Sequence, residues 1–298
     1  MRPDRPSLTA SLVAGVRALY ASFPPESDLV VAPDRDVLDL VPAWLRLPAR
    51  AMSSAGWAAP AVHQVLGLAT LGLSWHVALR TLAIDDAARD ALSAGATQVV
   101  LLGAGLDNRA RRLAEAASAR VFEIDHPDMQ RYKRERLARA GGEGERVLVP
   151  VNFEIDSLGE ALERAGLSAE RPSFWIWEGV TPYLTRAAVE STLRTIAERS
   201  APGSRLAVTY MRPAEDMGEG IARFAAALGA MVGEPVHATY RKPELAALLA
   251  DHGFEVLTDE TDTDFEARYW RASDTTRPRG LRALPEWERL AVAERVAR

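Results

Sequence analysis

Two glycines and an acidic pair carry the clearest chemistry in this sequence. A short apolar run leads directly into Gly103 and Gly105, and Glu123 and Asp125 follow about 20 residues later. Gly103 permits a tight turn, Gly105 lets backbone amides approach a ligand, and an acid at the later position grips ribose hydroxyls. The third glycine of the dinucleotide fingerprint is absent, since position 108 is Asn. The pattern therefore favours a cofactor that has a ribose but no pyrophosphate, and S-adenosylmethionine is such a molecule.

The surrounding sequence alternates short apolar runs with helical stretches. Continuous apolar runs of this length are typical of strands buried on both faces, and their alternation with helices predicts a parallel sheet. The predicted strands are 98–102, 120–124, 147–153, 173–177, 205–210 and 254–258, with a seventh near 267–271. The predicted helices between them are 108–117, 127–140, 156–165, 185–200 and 242–252. The fold class is therefore predicted as α/β, with a Rossmann-like, doubly wound, mostly parallel seven-stranded sheet.

Two parts of the chain depart from that alternation. Apolar spacing predicts helices at 7–22, 60–82 and 85–93, with helical pieces between 34 and 47, so residues 1–95 are predicted to form a helical N-terminal extension. Residues 96–298 form the predicted cofactor-binding core. The segment 212–235, rich in Ala, Gly and Met, is predicted as an inserted helical lid after the fifth strand, where it covers a substrate or serves as a packing element.

The composition argues against several classes of function. A net charge of −5 without a long basic run disfavours a nucleic-acid binder. The absence of cysteine excludes disulfides, thiolate catalysis and cysteine-ligated metals, and no pair of histidines shows metal-ligand spacing. The N-terminus lacks the pattern of a signal peptide, and polar residues interrupt the apolar stretch 58–83. We therefore expect a cytoplasmic protein with no membrane span and no metal.

Four segments of the chain follow one another in the order QVVLLGAGLDNRARRL, VFEIDHPDMQRYKRERL, VNFEIDSLGEAL and SFWIWEGVTPYLTRAAVESTL. Together they resemble the leucine carboxyl methyltransferase family of S-adenosylmethionine enzymes, most of all its bacterial members, over residues 70–260. The resemblance implies a monomeric class I methyltransferase that methylates a carboxylate or hydroxyl of a small molecule, in secondary-metabolite biosynthesis. Two alternatives remain: carboxyl methylation of a protein or peptide, and a non-catalytic module that binds the cofactor. A nicotinamide oxidoreductase is disfavoured by the missing third glycine.

The resemblance assigns the methionine end and the ribose of the cofactor to particular residues. Arg80 matches an arginine that pairs with the methionine carboxylate, the alternative being a surface arginine on a helix. Gly103 and Gly105 match the backbone cradle. Asp107 is expected to orient the turn or the methionine amino group, or else to cap the following helix. Asp125 matches the acid that binds the ribose.

The same resemblance extends to the third and fourth strands. Asn152 and Phe153 occupy the place of the family's acidic and apolar pair beside the adenine, and the Asn carbonyl still accepts from the adenine amino group. Glu178 matches an acid near the methionine amino group and suits the sulfonium charge. Tyr183 matches a tyrosine at the mouth of the active site, where it hydrogen-bonds the acceptor or is a core aromatic. Tyr183 and Arg80 are the candidate catalytic residues.

The need for a general base depends on the methyl acceptor. A carboxylate is already deprotonated at neutral pH, whereas a hydroxyl or phenol requires a base. His63 and His76 on the N-terminal helices, and His237 after the insertion, are the candidates for that role.

Overall fold

A single seven-stranded sheet organises the computed structural model, which describes residues 8–21, 37–53, 58–70, 72–141, 146–153, 155–220, 222–223, 236–270 and 286–297. Its strands are β1 Gln98–Leu102, β2 Arg120–Asp125, β3 Val147–Pro150, β4 Ser173–Trp177, β5 Arg205–Met211, β6 Phe254–Glu260 and β7 Glu288–Arg295. They lie in the order β3-β2-β1-β4-β5-β7-β6. Strands β1 to β5 are parallel, so the α/β, mostly parallel fold is confirmed.

Helices cover both faces of the sheet. They are α1 Leu8–Ala21, α2 Val37–Leu40, α3 Ala43–Ser53, α4 Ala59–Ala69, α5 Leu73–Ser93, α6 Arg109–Arg112, α7 Pro127–Arg139, α8 Leu158–Arg164, α9 Arg186–Glu198, α10 Lys242–Asp251 and α11 Asp262–Tyr269. Trp175 and Trp177 of β4 pack in the cluster that includes α8, α9 and α10, whereas Phe174 and Ile176 face the cluster that includes α5 and α11. Burial on both faces explains why β4 is a continuous apolar run.

The predicted seventh strand near 267–271 is wrong. Residues 267–269 of that segment lie in α11, which begins with a capping box between Thr261 and Asp264. The seventh strand is Glu288–Arg295, which lies between β5 and β6 and is antiparallel to both. Its apolar centre is flanked by charged residues at both ends, and this pattern hid the strand in the sequence.

Several helix boundaries also differ from those predicted from sequence. Residues Leu73–Ser93 form one uninterrupted helix instead of the ends of two, and the break falls earlier, at Gly72 with φ of 85°. A short α6 and a 3-10 turn at Ala114–Ser118 replace the predicted helix 108–117. The third strand ends at Pro150, so 151–153 belong to the loop that follows it.

The N-terminal helices pack near the glycine turn. Ala14 and Ala18 of α1 and Val37 and Leu40 of α2 share a core cluster with Leu106. Of the predicted lid 212–235, residue 221 and residues 224–235 lie outside the described residues, and the described part contains a 3-10 turn at Ala214–Asp216. In the described ranges no single helix is long and apolar enough to cross a membrane, although the bent pair Ala61–Ala69 and Leu73–Ser93 meets those two criteria jointly.

Candidate active site

The turn after β1 is closed tightly against two neighbouring elements. Gly103 has φ of 69°, and a Cβ there would lie 2.4 Å from the Cγ2 of Val180. Gly105 has φ of 50°, and a Cβ there would lie 3.2 Å from the Cβ of Ala10. Both positions therefore need glycine for conformation, and Gly103 needs it for space as well. The turn thus brings the backbone of β1 against the loop that follows β4.

Asp125 at the end of β2 faces this turn. Its carboxylate accepts hydrogen bonds from the backbone N–H groups of Gly105 (2.5 Å) and His126 (2.6 Å). Burial raises the pKa of Asp125, although the two amides oppose that shift. Glu123 is fully buried and pairs with Lys133 at 2.6 Å and with Arg146 at 3.3 Å. Asp125 is therefore the acid of the pair that lies beside the glycine turn.

Glu178, directly after β4, is surrounded by three arginines. It accepts from Arg17 Nη2 (2.6 Å), Arg80 Nε (3.1 Å) and Arg109 Nη1 (2.8 Å). Burial would raise the pKa of Glu178, but the arginines outweigh it and hold that pKa well below its usual range. Glu178 is therefore a carboxylate at every physiological pH, and it joins α1, α5 and α6 to the end of the sheet.

Asp107 connects the glycine turn to the same cluster. Its Oδ1 accepts from the backbone N–H of Arg109, the first residue of α6, at 2.7 Å, and its Oδ2 accepts from Arg17 at 3.2 Å. Arg109 also donates to Asp107 through Nη1 and to Asp85 Oδ1 through Nε at 2.8 Å. The Nη2 of Arg109 is buried and has no partner among the described residues. An unused donor thus remains inside the cluster.

Arg80 is buried rather than on the surface. Its Nε and Nη2 contact Glu178 Oε1 at 3.1 and 3.0 Å, and its Nη1 donates to Glu288 of β7. Burial opposes charge on Glu288, yet Arg80 and His76 lower the pKa of Glu288 to about 2. The surface alternative for Arg80 is therefore excluded.

His76 is held between two carboxylates. Its Nδ1 lies 2.7 Å from Asp262 Oδ1 and its Nε2 lies 2.5 Å from Glu288 Oε2. Burial disfavours the charged ring, but Asp262 and Glu288 outweigh it and raise the pKa of His76 to about 9. The ring is therefore a cation at neutral pH with both nitrogens occupied, and His76 cannot serve as the base.

The remaining histidines have different surroundings. His63 Nδ1 lies 3.0 Å from the Tyr20 hydroxyl, its Nε2 has no partner in the described ranges, and burial lowers its pKa to about 4. His237 is exposed, and its backbone N–H donates to the carbonyl of Pro182 at 2.6 Å. A role for either as a base stays a prediction.

The other three candidates lie in loops at the carboxyl end of the sheet. Asn152 follows β3, and its backbone N–H donates to Asp156 Oδ2 at 2.8 Å. Phe153 packs against the cluster that contains the β4 tryptophans. Tyr183 ends the 3-10 turn Thr181–Tyr183 after β4 and is half-buried. Their contacts with adenine or with an acceptor stay predictions.

Two residues of the site were missed by sequence reasoning. Arg17 shares a face of α1 with the buried alanines Ala14, Ala18 and Ala21, so a buried arginine on an apolar face was the available signal. Glu288 had no comparable signal, because β7 itself was not recognised. Within the described residues, no three His, Asp or Glu side chains form a group that could hold a metal, and the expectation of no metal stays a prediction.

Comparison with known proteins places these residues in a family context. The family model described as leucine carboxyl methyltransferase matches residues 10–197. A Mycobacteroides abscessus protein named "Putative S-adenosyl-L-methionine-dependent methyltransferase" is 39% identical over 179 residues, which cover 59% of this chain and 57% of the relative. A protein of the same name from Mycobacterium sp. (strain KMS) is 46% identical over 134 residues, which cover 44% and 43%. The chain thus spans about half the length of these relatives.

Solved structures support the fold. The crystal structure of a "putative methyltransferase" from Thermobifida fusca YX matches with a TM-score of 0.51 and 21% identity, covering 74% of this chain and 83% of that protein. A DUF574 family protein from Streptomyces avermitilis MA-4680 matches with a TM-score of 0.55 and 19% identity, covering 75% and 85%. At these identities the likeness establishes the architecture alone.

Proposed function

The chain belongs to the leucine carboxyl methyltransferase family, and from that premise we propose that it is an S-adenosylmethionine-dependent O-methyltransferase. Its acceptor is a carboxylate or hydroxyl of a small molecule, in secondary-metabolite biosynthesis. The observation that supports this most is the convergence of Arg17, Arg80 and Glu178 beside a glycine turn that Asp125 faces. This arrangement offers partners for both ends of the cofactor within one edge of the sheet.

The charged cluster suits an amino acid in zwitterionic form. Arg17 and Arg80 provide guanidinium groups for the methionine carboxylate, and the unused Nη2 of Arg109 is a further donor. Glu178 provides an anion for the amino group and for the positive sulfonium. We therefore keep Arg80 and Glu178 in the roles proposed for them from the sequence, and we add Arg17 to the set.

Asp125 suits the ribose. Each of its carboxylate oxygens accepts one backbone N–H, and each retains a lone pair for a ligand hydroxyl. Asn152 and Phe153 are assigned to the adenine, and Gly103 and Gly105 to the close approach of the backbone. When bound, the cofactor supplies an activated methyl group, so the protein has mainly to position the two reactants.

A carboxylate is the acceptor we propose first. His76 is occupied by two carboxylates, and a His63 with a pKa of about 4 is a poor base for a hydroxyl. A carboxylate acceptor needs no base, so the site as it stands suffices for it. We further propose a monomeric, cytoplasmic enzyme that acts without a metal, nucleic acid or membrane.

The proposal is tested first by calorimetric titration of the protein with S-adenosylmethionine, S-adenosylhomocysteine and NAD. Micromolar binding of the two adenosyl ligands without binding of NAD is the expected result. Formation of S-adenosylhomocysteine is then followed with matched pairs of carboxylic acids and phenols. A protein that binds neither adenosyl ligand refutes the proposal, and one that binds both but turns over no acceptor is a non-catalytic binding module.

A further inference from the structure

Among the residues that the structure describes, charged side chains at the end of the sheet form a continuous buried network of five cations and five anions. We call it the charge layer; its cations are Arg17, Arg80, Arg109, Arg112 and His76, and its anions are Asp85, Asp107, Glu178, Asp262 and Glu288. Buried charges are tolerated only when each is compensated, because an unpaired one retains its full desolvation cost. If any one member loses its charge, its neighbours in the layer are therefore less fully compensated.

Glu288 compensates two cations of the charge layer with a single oxygen atom. The same oxygen, Oε2, contacts both His76 Nε2 and Arg80 Nη1. His76 and Arg80 are one helical turn apart on α5, and Glu288 reaches them from β7. Two cations on one helix thus share one carboxylate. If one of them were neutral, the other would have to compensate Glu288 alone.

Arg80 needs free donors to bind a ligand carboxylate. A guanidinium has five N–H groups, and three of those in Arg80 point to Glu178 or Glu288. Nη1 also lies 3.3 Å from His76 Nε2, but a protonated ring nitrogen cannot accept a hydrogen bond. Two N–H groups of Arg80 therefore have no acceptor among the described residues. These N–H groups of Arg80 stay available to a ligand only while a second cation also compensates the charge of Glu288. Among the described residues, those that face His76 are Asp262 from α11, Glu288 from β7, Arg80 from its own helix and the edge of Trp287. His76 is therefore the second cation that compensates Glu288.

We propose that His76 is a positioning residue for the methionine end of the cofactor: as a buried cation it compensates Glu288 and so keeps Arg80 available to a ligand carboxylate. This inference rests on the proposed function, because it assumes that Arg80 binds that carboxylate. Both Glu288 and Asp262 lie beyond residues 10–197, so this support comes from outside the stretch that matches the family.

Two ligands separate this role from a structural one. S-adenosylhomocysteine carries the methionine-derived end, whereas 5′-methylthioadenosine has the same adenosyl group without it. Calorimetry on H76Q is expected to show about 10-fold weaker binding of S-adenosylhomocysteine and less than about 2-fold change for 5′-methylthioadenosine. The double variant H76Q/E288Q is expected to recover S-adenosylhomocysteine binding, because the carboxylate that required the cation is gone.

Two single variants complete the experiment. H63Q removes a buried neutral histidine of the N-terminal helices whose ring lies beside Tyr20, Trp75 and Trp270. No carboxylate among the described residues contacts it, so H63Q is expected to leave the ratio of the two affinities unchanged. E288Q alone removes the charge that His76 and Arg80 share and leaves Asp262 as the carboxylate partner of His76, so it is expected to bind S-adenosylhomocysteine at least as well as wild type. It also keeps the inference testable if H76Q fails to fold.

Three outcomes would overturn the inference: equal weakening of both ligands in H76Q, no recovery in the double variant, or selective weakening in E288Q. The last would mean that Glu288 itself holds Arg80 in place. Failure of the proposed function looks different, because wild-type protein would then bind neither ligand.

Discussion

At the residue scale, the site is defined by which atoms its arginines contact. Arg80 and Arg17 both donate to one oxygen of Glu178, and Arg109 donates to the other. Charge-assisted hydrogen bonds of this kind are about twice as strong as neutral ones. Changes at these residues should therefore affect binding of the charged end of a ligand far more than binding of the adenosyl end.

The first prediction concerns Arg80. R80Q should weaken S-adenosylhomocysteine binding by about 10- to 100-fold, since a charge-assisted contact is lost, while 5′-methylthioadenosine binding stays within about 2-fold. Calorimetric titration measures both. R89Q is the matched control, because Arg89 lies on the same helix but is half-exposed and pairs with Asp86. Equal weakening of both affinities would mean that Arg80 stabilises the fold and does not contact the methionine end of the ligand.

The second prediction concerns Asp125, the residue assigned to the ribose. D125N should weaken both ligands by about 10-fold or more, because Asp125 is assigned to a group that both carry. The backbone N–H groups of Gly105 and His126 donate to different oxygens of Asp125, and the amide replaces one of those oxygens by an NH2 group that cannot accept. The same titration reports it. Unchanged affinity for 5′-methylthioadenosine would remove Asp125 from the ribose site.

The third prediction concerns the acceptor side. Y183F should lower kcat by about 5- to 10-fold with a cofactor Kd within about 2-fold of wild type, as expected for one hydrogen bond to the acceptor. Steady-state rates with the acceptor found by screening, together with calorimetry, measure the two effects. An unchanged kcat would mean that Tyr183 is a core aromatic that does not contact the acceptor.

At the element scale, the turn between β1 and α6 is set by close contacts. Gly103 combines a positive φ with a Cβ position 2.4 Å from Val180, whereas Gly203 has φ of 82° and open space around its Cβ position. The two glycines share a backbone requirement and differ in the space around them. The clash at Gly103 therefore adds to the conformational strain, and only Gly103 lies beside the site.

The fourth prediction uses that difference. G203A should lower the free energy of unfolding by about 1 kcal/mol, and G103A should lower it by about 2 kcal/mol or more and also weaken adenosyl-ligand binding. Urea unfolding measures the first effect and calorimetry the second. Equal destabilisation by both substitutions would show that Val180 moves aside at no cost.

The elements differ in how well the sequence predicts them. The strand 173–177 was predicted at its observed bounds, because a run buried on both faces has no competing pattern. Strand β7 was missed, because charged residues flank its short apolar centre and its neighbours come from distant parts of the chain.

The residues of the site also differ in how well the sequence predicts them. Asp125 and Glu178 end predicted parallel strands, whose carboxyl ends must meet, whereas Arg17 and Glu288 reach the site through packing that no local pattern records.

At the scale of the whole molecule, two buried histidines make the free energy of unfolding depend on pH in opposite directions. The folded pKa of His63 is lowered to about 4, so its contribution is complete above the unfolded value of 6.5 and is lost as pH falls toward 4. The folded pKa of His76 is raised to about 9, so its contribution is complete below 6.5 and is lost as pH rises through 9. Each shift corresponds to about 3 kcal/mol.

The fifth prediction follows from these two shifts. The free energy of unfolding, measured by urea titration at a series of pH values, should peak near the unfolded histidine value of 6.5 and fall on both sides. H63Q should flatten the limb between pH 4 and 6.5, and H76Q the limb between 6.5 and 9. A curve whose alkaline limb survives in H76Q would mean that another group titrates there.

The position of β7 has a consequence for the order in which this molecule is built. Among the described strands β7 is the last to leave the ribosome, yet it takes an interior place between β5 and β6. Until it arrives, β6 has no partner among the described strands, β5 presents an open edge, and Arg80 lacks Glu288. A nascent chain therefore exposes unpaired strand edges until β7 has been synthesised. The step that closes the sheet is also the step that brings Glu288 against Arg80 and His76.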